Sequence, residues 1–195
     1  NNELSGLIPS PSWKQAIHGQ DWYPGDTLNT IIGQGYLLTT PLQLASATAT
    51  LSARGLRYQP SLLLSQHTAG DEEIVADAVE LPPVYATQEA YDQLVIAMQD
   101  VIRDKEGTGF RFGRNTPYTV GVKTGTAQVS SKRGIRSEDL PEKLRDNGVF
   151  IAFAPAEHPK IAVAVIAEHT ETVAPNIARK VIDAYLAPTA REDSQ

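Results

Sequence analysis

Apolar residues along this chain recur with two periods, and the change of period marks out its elements. Over residues 87–107, "TQEAYDQLVIAMQDVIRDKEG", Tyr91, Leu94, Val95, Met98, Val101 and Ile102 recur at three- and four-residue spacing. That is the stripe of an amphipathic helix, with Thr87 placed to cap it and Gly107 to stop it. Residues 39–55, "TTPLQLASATATLSARG", predict a second helix. Thr40 is its cap, Pro41 takes the first helical position, and Gln43 completes a capping box. Leu44, Thr48 and Leu51 share one face, and Gly55 suits the C-terminal stop. A last helix spans 174–188, from Pro175 to Pro188, with Ile177, Val181, Ile182 and Tyr185 as its stripe.

Elsewhere the pattern is that of strands. "YTVGV" (118–122), "GVFIAFAP" (148–155) and "KIAVAVIAEH" (160–169) predict three, and the short link "PAEHPK" makes the last two a hairpin. Their near-continuous apolar runs imply a sheet covered on both faces. Ala162 and Ala164 point one way and Val163 and Val165 the other, so a helix can approach the alanine face closely. Residues 56–64 read as a short strand interrupted by Pro60, and 65–86 as a loop or edge hairpin. Residues 1–30, rich in Pro, Gly, Asn, Asp and Ser, read as irregular structure with Trp13 and Trp22 packed on a core surface. The sum is an α+β fold: an antiparallel sheet with helices packed on it, one domain over 1–187, and a disordered tail over 188–195.

Composition narrows the function. A net charge of -6 argues against nucleic acid, because phosphate binding wants a basic face. The absence of cysteine excludes disulfides, thiolate metal sites and a cysteine nucleophile. The four histidines, His18, His67, His158 and His169, have no metal-site spacing. "GTGFRFGR" (107–114) fits neither Gly-rich phosphate pattern and reads as the loop leading into the strand at 118. Residues 129–147 mix charges of both signs and read as a solvated loop, or as an insertion that rims a site. No apolar run reaches the ~18 residues of a membrane span, and no signal peptide opens the chain. The opening "NNELSGLIPSPSWKQ" reads as a loop entered midway, so the chain is expected to be a piece of a longer protein.

The chemistry concentrates in Lys123-Thr124-Gly125-Thr126, on or just past the strand 118–122. Thr124 and Thr126, two positions apart, project to the same side of an extended chain. Gly125 between them lets another group approach the backbone. A carboxylate could take both hydroxyls with the Lys123 cation behind it, and the Thr126 N–H could face a developing oxyanion. The Lys-Thr-Gly triplet alone arises by chance in about one chain of this length in 25, so it needs context.

That context is a family resemblance. The strand–KTGT–strand–strand–helix order, with "VGVKTGTAQ", resembles the third motif of class B penicillin-binding proteins and its surroundings. "GDTLNTIIGQGYLLTTPLQLASATATLSARG" (25–55) resembles the stretch upstream of that motif. "LIPSPSWKQ", "DWYPGDT" and "KLRDNGVFIAFAP" resemble the penicillin-binding protein 2 branch, the elongation transpeptidases. The likeness runs over roughly residues 5–187. It implies the penicillin-recognising serine transpeptidase/β-lactamase-like fold and a peptidoglycan D,D-transpeptidase that forms an acyl-serine intermediate and is acylated by β-lactams. By the same resemblance Lys123, Thr124, Gly125 and Thr126 bind substrate, and Lys123 and Thr126 take part in catalysis. It implies no cofactor and no metal.

The family's nucleophile lies in Ser-x-x-Lys and a second serine in Ser-x-Asn. No lysine here has a serine three residues earlier, and no asparagine has one two residues earlier; Thr27-Leu28-Asn29 comes nearest. The chain is therefore expected to be the C-terminal part of the transpeptidase domain, inactive alone and completed by the N-terminal remainder of that domain. The resemblance implies stem peptides ending in D-Ala-D-Ala and β-lactams as ligands, with a SEDS-family glycosyltransferase and elongation-complex proteins as partners. It implies a parent on the periplasmic side of the bacterial inner membrane, anchored by an N-terminal transmembrane helix. Two other readings stand beside it: a non-catalytic peptide- or partner-binding domain of the same fold, and a serine β-lactamase fragment, against which the Gly-Gln-Gly and Thr-Pro-Leu-Gln stretch argues.

Overall fold

A computed structural model describes residues 3–67, 73–113, 115–129, 134–170 and 172–187. Its centre is a three-stranded antiparallel sheet in the order β5-β6-β7, from β5 (Gly121–Ala127), β6 (Asn147–Ala154) and β7 (Ile161–Ala167). Thr126 lies opposite Gly148 and Lys123 opposite Ile151, while Ala162 faces Phe153 in the β6–β7 pair. The expected hairpin is present. The KTGT strand stands at one edge, and among the described residues no strand pairs with the outer edge of β7.

The two faces of the sheet bury different residues. On one, Phe112, Val120, Val122, Phe150, Ala152, Val163 and Ala167 pack with Ala174, Ala178 and Ile182 of α6 (Ala174–Leu186). On the other, Phe153, Ile151 and Ala162 meet Val95 and Met98 of α4 (Gln88–Arg103) and Leu51 of α3 (Pro41–Ser52). Both faces are covered, as the apolar runs predict. Gly121 lies directly opposite Phe153. A Cβ on Gly121 would run into that ring, so glycine is required there for fit.

Local signals explain α3 and α4. Thr40 accepts from Gln43 N–H at 3.1 Å, and the Gln43 side chain returns a bond to the Thr40 N–H at 3.0 Å. The capping box is formed as read. The helix ends in a Schellman pair, Arg54 N–H to Leu51 and Gly55 N–H to Thr50, with Arg54 and Gly55 both at positive φ. Thr87 caps α4 as expected, accepting from Ala90 N–H at 3.2 Å, but the helix stops at Arg103, short of Gly107.

Three expectations are corrected. Residues 1–30 are not irregular: they hold α1 (Pro11–His18) and α2 (Pro24–Ile31). Ser10 and a proline at the first helical position start α1, and a contact between the two helices, described below, fastens them. Trp13 packs on His18 and Tyr36, and Trp22 donates to Thr27 Oγ1 at 2.8 Å. The second correction is the motif strand, which runs 121–127 and not 118–122, so the KTGT residues lie inside it. Pairing with β6 imposes the extended form on residues without an apolar pattern. The third is the inward face of α6: Ala174, Ala178 and Ile182 are buried, whereas Ile177, Val181 and Tyr185 are exposed. Small alanines let α6 lie close on the sheet, which rotates the larger apolar residues outward.

The remaining elements are short. β1 (Arg57–Tyr58) pairs with β4 (Glu80–Leu81), and β2 (Ser65–His67) pairs with β3 (Glu73–Val75) as an edge hairpin. α5 (Phe110–Gly113) is a single turn inside the stretch read as a loop. Two 3-10 turns, Ser137–Asp139 and Glu142–Leu144, break the charged segment after β5. The expected tail at 188–195 lies outside the described residues. No described helix is long and apolar enough to cross a membrane.

Candidate functional site

The direction of the β5 backbone decides what its open edge offers. Gly148, opposite Thr126, sends its N–H away from β5, to Thr170 O at 2.8 Å. Thr126 and Gly148 are thus a pair without mutual hydrogen bonds. In an antiparallel ladder a residue's N–H and C=O point the same way. Both groups of Thr126 therefore face outward, and its C=O is met there by Gln34, whose Nε2 donates at 2.8 Å. The same alternation turns Thr124 outward, and Lys123 Nζ donates to the Thr124 C=O at 2.7 Å.

Gln34 is delivered by a chain of contacts that begins in α1. Lys14 is 3% exposed, and its ammonium donates to Asp26 Oδ2 at 2.7 Å. It also lies over the Tyr23 ring, 4.9 Å from its centroid. The Lys14 hydrogen bond, with the Tyr23 N–H behind it, holds the Asp26 carboxyl below its usual value. Asp26 sits in the first turn of α2, where a carboxylate is favoured. At the other end of α2, Gly33 N–H bonds Thr30 O and Gln34 N–H bonds Asn29 O, a Schellman stop with Gly33 at φ +78°. The residue after that stop is Gln34, and its side chain reaches β5.

Beside β5 lies a cavity of about 680 Å³, lined by Thr124, Gly125 and Thr126, by Thr108 and Arg111 around α5, and by Thr172, Val173, Pro175 and Asn176 at the start of α6. Thr108 and Thr124 share a hydroxyl–hydroxyl bond of 2.9 Å. Among the described residues the lining includes four threonines, 108, 124, 126 and 172, and one charged residue, Arg111. Such a wall of donors around one cation suits an anion. Among the described residues no group of acids, histidines or cysteines could hold a metal ion.

The structure thus brings three of the four motif residues together. Lys123 is the exception: it is exposed on the opposite side of the pleat, folded onto its neighbour's carbonyl, and does not line the cavity. Thr108, Arg111 and Gln34 were not singled out from the sequence for any role. Thr108 and Arg111 sit in a turn without a motif. Gln34 carried a signal in its flanking glycines, of which Gly33 and Gly35 both adopt positive φ.

Comparison with known proteins gives the family. The penicillin binding protein transpeptidase domain family matches residues 2–183. The peptidoglycan D,D-transpeptidase MrdA of Salmonella typhimurium is 36% identical over 200 residues, covering 97% of this chain and 32% of the relative. MrdA of Acinetobacter baumannii is 38% identical over 191 residues, covering 95% of this chain and 28% of that protein. The chain spans about a third of the length of the curated relatives it matches. Among solved structures, Pseudomonas aeruginosa PBP2 in complex with WCK 5153 superposes with a TM-score of 0.75 at 36% identity, covering 96% of this chain and 40% of that one. The Helicobacter pylori complex of PBP2 with MreC gives 0.73 at 28% identity, covering 94% and 32%. With a family match over nearly its whole length and strong homology to the MrdA (PBP2) transpeptidases, the chain belongs to the penicillin-binding protein transpeptidase family.

Proposed function

We propose that this chain is the C-terminal part of the catalytic domain of a peptidoglycan D,D-transpeptidase of the elongation type, and that it supplies the KTGT wall of the active site. The observation that carries this is the cavity beside β5, on which Thr124 and Thr126 stand together at a strand edge where the Thr126 N–H points outward. A substrate's terminal carboxylate takes the two hydroxyls. The Thr126 N–H is one half of an oxyanion hole, typically worth ~3 kcal/mol in the transition state. Lys123, freed from its neighbour's carbonyl, turns toward the second-motif serine.

The other half of the site comes from the N-terminal remainder of the domain. A serine of Ser-x-x-Lys there attacks the carbonyl between the last two D-alanines of a stem peptide. D-alanine leaves with a proton, an acyl-serine remains, and the amine of a second stem takes the acyl group. A β-lactam acylates the same serine and stays. This sequence has neither serine motif, so the chain alone does not turn over. The parent acts on the periplasmic side of the inner membrane, held by an N-terminal anchor. A SEDS-family glycosyltransferase and elongation-complex proteins are its partners; the PBP2–MreC complex of a structural neighbour supports the second of these.

Fluorescent penicillin and a denaturing gel test this reading. Label is expected on the full-length protein and absent from the 195-residue chain alone. A labelled band of the 21.1 kDa chain by itself would overturn the division of the site.

A further inference from the structure

Among the described residues Arg111 is the one charged residue on the wall of the cavity beside β5. It is exposed, and among the described residues it makes no ion pair or hydrogen bond. Thr124 and Thr126 line the same cavity. The Thr124 hydroxyl is already oriented, because Thr108 Oγ1 lies 2.9 Å from it. A hydroxyl pair has one proton to share between the oxygens and one left over to donate elsewhere. Thr108 is thus able to accept from Thr124 or to donate to it, and in the second arrangement the Thr124 proton turns to the cavity. Lys123 faces away from this space. Among the described residues, the charge that an anion would meet here belongs to the turn before β5.

Resting on the function proposed above, we infer that Arg111 is a substrate-binding residue that shares the substrate's terminal carboxylate with Thr124 and Thr126, and that Thr108 is a positioning residue for the Thr124 hydroxyl. The guanidinium matches a carboxylate in shape and charge. The turn from Thr108 to Arg111 is then the second wall of the carboxylate site.

The test uses the full-length transpeptidase and two probes: a penicillin with its free carboxylate, and the same penicillin as its methyl ester. Acylation rates are measured for Arg111→Gln, Arg111→Lys, Thr108→Val and, as reference, Thr126→Val. Arg111→Gln is expected to slow the carboxylate probe about tenfold, the size of one charge-assisted hydrogen bond at a site open to water. It should leave the ester's rate unchanged, and Arg111→Lys should restore most of the loss. Thr108→Val should slow the carboxylate probe severalfold, again sparing the ester. Equal slowing of both probes by Arg111→Gln would make the residue merely structural and overturn the inference, as would no slowing of either. A Thr126→Val variant that still discriminates the probes like wild type would instead sink the assignment of the cavity itself. That outcome is separate from loss of the Arg111 effect alone.

Discussion

Gln34 and Thr126 are 92 residues apart in sequence, and the Gln34 side-chain amide donates to the Thr126 carbonyl at 2.8 Å. The bond closes part of a strand edge that no strand among the described residues covers, and it fixes the peptide group that carries the outward-facing carbonyl. Gln34→Ala removes it without touching the sheet core. The expected outcome is severalfold slower β-lactam acylation of the full-length protein, consistent with one hydrogen bond of about 1 kcal/mol. Circular dichroism should be unchanged. An unaltered acylation rate would separate the Gly-Gln-Gly loop from the site.

Phe153 is fully buried, and its ring occupies the space above Gly121. Gly121→Val should cost about 1–3 kcal/mol through overpacking. Phe153→Ala alone should cost about 3–5 kcal/mol. Combined, the two should cost clearly less than their sum, because the truncated ring makes room for the valine. Urea unfolding of the four proteins checks this, and strict additivity would mean that the contact is not shared.

Tyr118 donates its hydroxyl to Asp183 at 2.6 Å, and Arg179 grips the same carboxylate at 2.8 Å. Burial first, and then the hydrogen bond and charge of Asp183, push the phenol well above its ordinary value of 10.0. The unfolded chain gives up this proton near that ordinary value, while the folded chain keeps it. The contribution is therefore full below pH 10.0 and is lost as the pH rises beyond it. Tyr118→Phe should flatten the alkaline fall of the urea midpoint. Parallel pH profiles for the two proteins would show that the phenol takes no part.

The Asp26 carboxyl behaves in the opposite sense. Its hydrogen bond from Lys14 lowers it from 3.8, so the stability it brings is present above that value and lost as acid protonates the folded form. Lys14→Met should lower the urea midpoint at neutral pH and remove part of its fall in acid. A midpoint unchanged at neutral pH would mean that the pair is dispensable.

How much of this was legible depended on where each signal lay. The α3 helix could be read in full because cap, box and first-turn proline are all within four residues. The antiparallel sheet with helices on it was legible from β6 and β7, whose apolar runs are long. The start and end of β5 were not, since Thr124, Gly125 and Thr126 become a strand only through pairing with residues 148–150. The buried face of α6 was misread because alanines, not the larger Ile177 and Val181, fit closest to the sheet. In α1 and α2 the decisive contact is an ion pair between Lys14 and Asp26, which leaves no periodic trace. The motif pointed to Thr124 and Thr126. Their neighbours Thr108 and Arg111 come from a turn whose place against β5 is set by the Val101, Ile102 and Val122 side chains around Gly109, where a Cβ would be crowded.

The outer edge of β7 has a consequence for handling the protein. "IAVAVIA" is uncharged from end to end, and its charges stand just outside it, at Lys160 and Glu168. An apolar strand whose outer edge is covered by no strand among the described residues is a template for intermolecular pairing, and flanking charges only slow such growth. Isolated at high concentration, the chain should be prone to edge-to-edge self-association and colloidal instability, with ageing samples gaining cross-β character at the expense of monomer.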